Sequence, residues 1–256
     1  MFIPENYSVA LNMNRLTGRK SVTAFGTVTS LQIANTPCGI WEPKIPFIWD
    51  ASPVSLEVVS SSAADSAAGA GARTLLLTTL DGSYNEAFNF IALNGVTPVA
   101  VPGTHLRCNN GIVTEVGTAF GSNIGNITIR VAGGGTTRDF ITAGRGVTQS
   151  GKYTVPAGNT ITINNFYLVS ARTGGATYSV EFVPRIRFNT APFVNGPAFD
   201  GLRQYFSQGN APIVVPIGFA LPEKTDAYYD INSISNNDVN FGIGFTGVLV
   251  NNSTGL

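Results

Sequence analysis

Ser60–Glu86 reads SSSAADSAAGAGARTLLLTTLDGSYNE, and the reading of this stretch decides the fold. A run of small residues gives way to a stretch rich in leucine and threonine, then to Asp81-Gly82. It could be a flexible linker, a loop that cradles a phosphate, or a loop and strand of an antiparallel β-protein. The neighbouring residues separate these readings. Ala72–Leu80 (ARTLLLTTL) and Glu86–Leu93 (EAFNFIAL) are both strand-like. Asp-Gly between two such runs is a strong hairpin signal, because glycine accepts positive φ at little cost. Asn94-Gly95 is a second turn of the same chemistry. A phosphate loop needs a Lys-Ser or Lys-Thr pair, or a further glycine, leading into a helix. Here Arg73-Thr74 leads into a strand, which offers an anion no helix dipole. The small residues are therefore expected to form a loop between two strands.

Outward from this hairpin, helical signals are nearly absent. Thr, Val, Ile and Phe dominate, and Gly and Pro recur every few residues. Ser21–Ile33 alternates through Val22 and Ala24 to Leu31 and Ile33, with a phase slip near Gly26 that predicts a bulge. Pro53–Ser60 alternates Val54, Leu56 and Val58 against Ser55, Glu57 and Val59. Asn126–Ala132 and Arg138–Ala143 form a hairpin candidate around three glycines. Further strands are expected at Lys152–Val155, Ile161–Ser170, Tyr178–Phe188, Ala211–Leu221, Ala227–Ser235 and Asn240–Val250. In the last of these, Phe241, Ile243 and Phe245 face one side, and Gly242, Gly244 and Thr246 face the other.

The strands fall into one group over about Ser21–Ala143 and another over about Lys152–Val250, the second with the strand count of a jelly roll. The expectation is an all-β chain of two antiparallel domains. Residues 1–48 make an N-terminal arm and leading strand, 49–146 a smaller sandwich or barrel, and 147–256 a jelly-roll-like sandwich. The first twenty residues fit an arm reaching over a neighbouring molecule or an ordinary edge strand.

Of the 256 residues, 43% are hydrophobic and only 12% charged, with Lys+Arg and Asp+Glu equal at 15 each. A sizeable core is possible, and there is no net field to attract nucleic acid or an anionic membrane. So uncharged an exterior fits either a neutral β-protein or a surface covered by other subunits. The N-terminus lacks the basic and apolar pattern of a signal peptide, and no apolar run is long enough for a membrane span. Cys38 and Cys108 suggest small buried side chains rather than a disulfide framework.

Chemistry-bearing constellations are sparse. The single histidine, His105, lies near Cys108, but residues three apart on a strand face opposite ways, so no dyad is expected. Asp226, Asp230 and Asp238 lack the spacing of an EF-hand loop. No catalytic residue, cofactor or metal is expected. Trp41 and Trp49, with Phe47, fit a sugar-stacking platform or a packing and interface cluster. Phe2, Tyr7, Trp41 and Trp49 are candidate interface anchors in irregular N-terminal segments. Phe193 and Phe199 join them from the long insertion Phe188–Phe206, whose phenylalanines, with Phe182, could instead plug the sandwich.

Trp49–Val101, with its elements LEVVSSSAADSAAGAGART, LDGSYNE and LNGVTPV, resembles a module of the virion structural proteins of tailed bacteriophages. NIGNITIRVAGGGTT and YTVPAGNTITINNFYLVS resemble its continuation, so the likeness spans about Trp49–Val169. It implies a non-enzymatic, β-rich component of a phage particle, made in the host cytoplasm. The placement it suggests first is the capsid surface, as a homotrimeric decoration or cement protein whose partners are major capsid protein subunits. A tail, baseplate or fibre component with a host-surface or carbohydrate-binding role is the alternative.

Overall fold

The structure is a computed structural model that describes residues 16–118, 121–172, 177–193, 196–201, 203–207 and 213–254, with only the backbone of 213–218. Among these, the chain runs through β1 (Arg19–Leu31), β2 (Cys38–Gly39), β3 (Leu56–Ser60), β4 (Ala72–Leu80), β5 (Glu86–Ala92), β6 (Val99–Ala100), β7 (Arg107–Val116), β8 (Ile127–Val131) and β9 (Thr137–Ile141). It continues through β10 (Lys152–Thr154), β11 (Asn159–Arg172), β12 (Ser179–Phe188), β13 (Phe199–Asp200), β14 (Gln204–Ser207), β15 (Ile213–Leu221), β16 (Thr225–Ile234) and β17 (Val239–Asn251). Among the described residues the one helical element is a single turn, Ile33–Asn35, and no helix is long and apolar enough to cross a membrane. The chain is all-β, as its periodicity predicts.

Two sheets, β1-β17-β11-β15 and β10-β16-β12-β13, build the larger sandwich, with β14 also on β12 and β2 also on β16. β12 occupies one edge of β16 along Thr225–Ile234, so β2 and β10 must share the other edge. They are one strand, interrupted. Ile40 N donates to Tyr229 O (3.1 Å), Tyr229 N to Gly151 O (2.9 Å), and Gly151 N to Ile40 O (2.9 Å). The strand halts at Ile40 and resumes at Gly151, and the intervening residues leave the sheet and return. Taken in chain order, with β13 and β14 as one, the strands sit 1-8-3-6 in one sheet and 2-7-4-5 in the other. This is the interleaving of two Greek keys in a jelly-roll-like sandwich. Its core is filled by the alternate residues of both sheets, among them Leu31, Ile161, Ile163, Val180, Ile231 and Phe245.

The pairing of β1 corrects the grouping read from the sequence. Arg19–Leu31 lies along β17, not with the strands that follow it. Its inward residues Val22, Val28 and Leu31 are buried in the jelly-roll core. The expected bulge at Gly26 is also displaced. Pairing is continuous from Arg19 to Val28 and slips only between Val28 and Leu31, beside Ser30 at φ 47°. Gly26 is instead an inward position with no room for a side chain, since a Cβ there would lie 2.4 Å from Gly151 N and Ile40 O. The glycine lets β1 cross directly over the splice.

The inserted residues fold into two smaller sheets, β6-β3-β8-β9 and β5-β4-β7, around Leu56, Val58, Leu75, Leu77, Ile127 and Ile129. The hairpin of β4 and β5 pairs from Thr74↔Ala92 to Leu80↔Glu86. Its turn works differently from the sequence expectation. Asp81 Oδ1 accepts from the amides of Ser83 (2.8 Å) and Asn85 (2.9 Å), and Tyr84, not Gly82, takes the positive φ, 68°. Gly82 is needed for space, because a Cβ would sit 2.7 Å from Pro53 Cγ. The Ser-Ala-Gly run is a loop wrapped around one buried carboxylate. Asp65 accepts from Ser60 Oγ (2.6 Å) and from the amides of Ala72, Ile124 and Gly125 (each 2.8 Å). Glu57 does the same for the three-glycine tip. It takes the amides of Gly133 and Gly134 and an ion pair from Arg130, and the Gly133 amide first, then Arg130, hold its carboxyl below the usual range.

Candidate interaction surfaces

The joint between the insertion and the jelly roll absorbs the aromatic residues of the N-terminal segment. Trp41 is 1% exposed, and its indole donates to Ile45 O (2.6 Å). Its ring packs on Phe47 (5.2 Å between centroids), and the Lys152 ammonium lies over both rings, 5.6 and 5.5 Å away. Trp49 is half-buried against Tyr228 (4.9 Å), with the guanidinium of Arg107 at 5.1 Å and that of Arg187 at 5.9 Å from its ring. A sugar platform needs a free ring face. Trp41 has none, and Tyr228 and two guanidinium groups already crowd the Trp49 ring. The structure places both in packing within the chain, which corrects the carbohydrate alternative for Trp41 and Trp49.

Arg107 is the pivot of this joint. Its Nε and Nη2 donate to Asp226 Oδ1 (2.9 Å) and Oδ2 (3.0 Å), and its Nη1 to the carbonyls of Asp50 (2.9 Å) and Leu106 (2.8 Å). Asp226 is further satisfied by Thr154 Oγ1 (2.7 Å) and Asn189 Nδ2 (2.9 Å). Asp230 pairs with Arg185 (2.8 Å), and Asp238 accepts from Gln32 (2.8 Å). The three aspartates thus serve three separate contacts, and among the described residues no group of three or more His, Cys, Asp or Glu could hold a metal.

His105 is buried where its backbone bridges to Val54. Burial draws its pKa down, against the Pro102 and Val101 carbonyls. Cys108 points elsewhere, its thiol donating to Asp139 Oδ2 (3.5 Å), and burial pushes its pKa well up. Cys38 and Cys108 are free and buried in separate cores, and burial lifts Cys38 to about 12.

Of the remaining candidates, Phe2 and Tyr7 lie outside the described residues. The phenylalanines of the long insertion divide. Phe182 and Phe206 join the jelly-roll core. Phe188, Phe193 and Phe199 form a separate triangle with centroids 5.7–6.0 Å apart, in which Phe193 and Phe199 are exposed.

Two apolar faces escaped the sequence reading. On β5-β4-β7, Phe88 is 58% and Phe90 68% exposed. Register puts Phe90, Leu76 and Ile112 in one row across the sheet, and Phe88, Thr78 and Asn110 in the next. β5 is an edge strand, so this face borders an open row of backbone donors and acceptors. Lys20, ion-paired to Glu86 (2.6 Å), lies 5.9 Å over Phe88. The second face is the outside of β1-β17-β11. Phe25 and Tyr167 flank Gly244, and Thr27 and Val169 flank Gly242, which leaves an apolar trough of about 490 Å³ with a glycine floor. The signal was available in both cases. EAFNFIAL and NFYLVS are apolar in both phases of the alternation, the mark of a strand with two apolar faces.

No family model matches the chain, and no curated protein matches it. Solved structures that resemble it are particles of infectious bursal disease virus. The T=1 particle derived from that virus is 9% identical, with a TM-score of 0.25 over 93% of this chain and 71% of the other. The VP2 subviral particle is 11% identical, with a TM-score of 0.25 over 93% and 72%. Likeness of this degree carries no argument about fold or role.

Proposed function

We propose that the chain is a non-enzymatic structural component of a tailed-phage particle that lodges on the capsid surface and bridges major capsid protein subunits as a decoration or cement protein. The observation that carries the reading is the Phe88–Phe90 face. Two phenylalanines more than half exposed, in a row with Leu76 and Ile112 beside an open strand edge, make a contiguous apolar surface on a chain with only 12% charged residues. Such patches mark contact sites with other proteins. The resemblance of Trp49–Val169 to virion proteins supports the same reading, and this face lies within that span. Burial of the face among neighbouring subunits would stabilise a lattice through mass action and lost apolar surface. The assembly proposed is a homotrimer.

The test is co-sedimentation of the purified protein with expanded and with immature capsids. Binding to expanded capsids alone, and its loss in Phe88→Ser/Phe90→Ser with the fold intact by circular dichroism, is the expected result. Band intensity on purified particles separates this role from a tail or fibre role. Many copies per particle are expected, and a few copies that travel with tail fractions would replace it with the tail reading.

A further inference from the structure

The two sheets of the jelly roll do not close on each other everywhere. Between them lies a cavity of about 450 Å³. Phe166 and Phe219 wall it from one sheet, Phe182 and Tyr229 from the other, and Leu168 and Ile186 also line it. The void has a cause in the sequence. On the inward face of β16, Ala227 stands in line with Tyr229 and Ile231, and it is the small one of the three. Protein interiors hold few voids larger than a water molecule. An apolar void is not filled by water, which needs two to four polar partners, and remains open to an apolar guest. The volume lies in the range of small-molecule sites.

The lining decides which guest. Arg185, Gly201 and Gln204 complete the lining with Pro184 and Ala227. The Arg185 charge is already spent, with Nη1 on Asp200 Oδ1 and Nε on Asp230 Oδ2, each 2.8 Å. Register sets Arg185 opposite Tyr228 and Asp230 opposite Val183, on the face of the sheet turned away from Ala227 and Tyr229, so among the described lining residues no charged side chain faces the void to pair an ionic head. Among the described lining residues, Gln204 and the Tyr229 phenol offer neutral hydrogen-bonding groups. We propose that this cavity is a binding site for an uncharged apolar molecule, an alkyl chain with a neutral head such as a medium-chain alcohol. This inference is independent of any role on a particle.

The experiment titrates the full chain with 1-decanol and, at pH 8, with decanoate, by calorimetry, and maps contacts by NOEs between ligand and protein ring protons. The expected result is saturable one-to-one binding of decanol, NOEs to Phe166, Phe182 and Tyr229, and decanoate about tenfold or more weaker, because its charge cannot be paired in the void. Ala227→Leu fills the void from one sheet and Leu168→Phe from the other. Either variant, where folded, is expected to abolish binding without loss of thermal stability. Absence of decanol binding, NOEs confined to the Phe88–Phe90 face, or equal affinity for decanol and decanoate would each overturn the proposal on the native chain alone, whatever the variants do.

Discussion

The Arg107 guanidinium and the Asp226 carboxylate meet in a two-pronged ion pair with neither side chain reaching solvent. Arg107 belongs to the inserted module and Asp226 to the jelly roll, so the pair locks one sandwich to the other. Removing one partner of a buried pair strands the other charge. Arg107→Met is therefore expected to cost about 3–5 kcal/mol in guanidinium unfolding. Arg107→Met with Asp226→Leu is expected to cost much less than the two single changes summed, which a double-mutant cycle measures. Near-additive losses would mean that the pair does not couple the modules.

Asp65 plays the corresponding part inside the insertion. Four donors converge on it, and three of them are backbone amides. Asp65→Asn turns an amide group toward those donors and is expected to cost about 2–4 kcal/mol. Hydrogen exchange should localise the damage, with the amides of Ala72, Ile124 and Gly125 losing protection first. Gly71→Ala should reproduce it, since the added Cβ would lie 2.2 Å from Asp65 Oδ1.

These two hubs also mark how far the sequence could be read. Strands and hairpins were legible because period-two alternation and turn chemistry are local, as in Ala72–Leu80 and its return. Partnership across distance was not. Nothing in Arg19–Leu31 says that it pairs with Val239–Asn251, and its alternation would serve either sandwich. The small residues around Asp65 read as a loop, but the amides they enclose come from Ile124 and Gly125, some sixty positions on. Trp41 and Trp49 looked like exposed anchors because Pro43 and Pro46 break the pattern that would have shown what covers them. The Phe88–Phe90 face was missed for the opposite reason, since a strand apolar on both sides does not reveal which side meets solvent.

Asp230 gives the fold a pH dependence. Burial, opposed by Arg185 and reinforced by Asp200, lifts its carboxyl from the ordinary value to about 6. The folded protein then holds this proton more tightly than the unfolded chain does. The stability it contributes is complete below about pH 4 and falls as pH climbs through 6, by roughly 2–3 kcal/mol. Unfolding followed from pH 4 to 7.5 should show this decline, and Asp230→Asn should flatten it. A native profile that is flat or rises across the window, with no difference from the variant, would refute the assignment.

The splice makes the last prediction. Ile40 and Gly151 are already neighbours in one strand, joined by a 2.9 Å hydrogen bond. Joining them through one or two glycines and deleting 41–150 should therefore leave every jelly-roll pairing in place. The deletion also removes Arg107 and strands Asp226, so the shortened chain needs Asp226→Asn to avoid an unpaired buried charge. Lys152, buried in the full chain, loses the Trp41 and Phe47 rings as well, but the deletion removes the residues that cover it and lets its ammonium turn to water. The shortened chain is expected to keep a β-type circular dichroism spectrum and a cooperative thermal transition, at lower temperature than the full chain. A chain without a cooperative transition would mean that β2 and β10 hold their edge of β16 only because the inserted module presses them there.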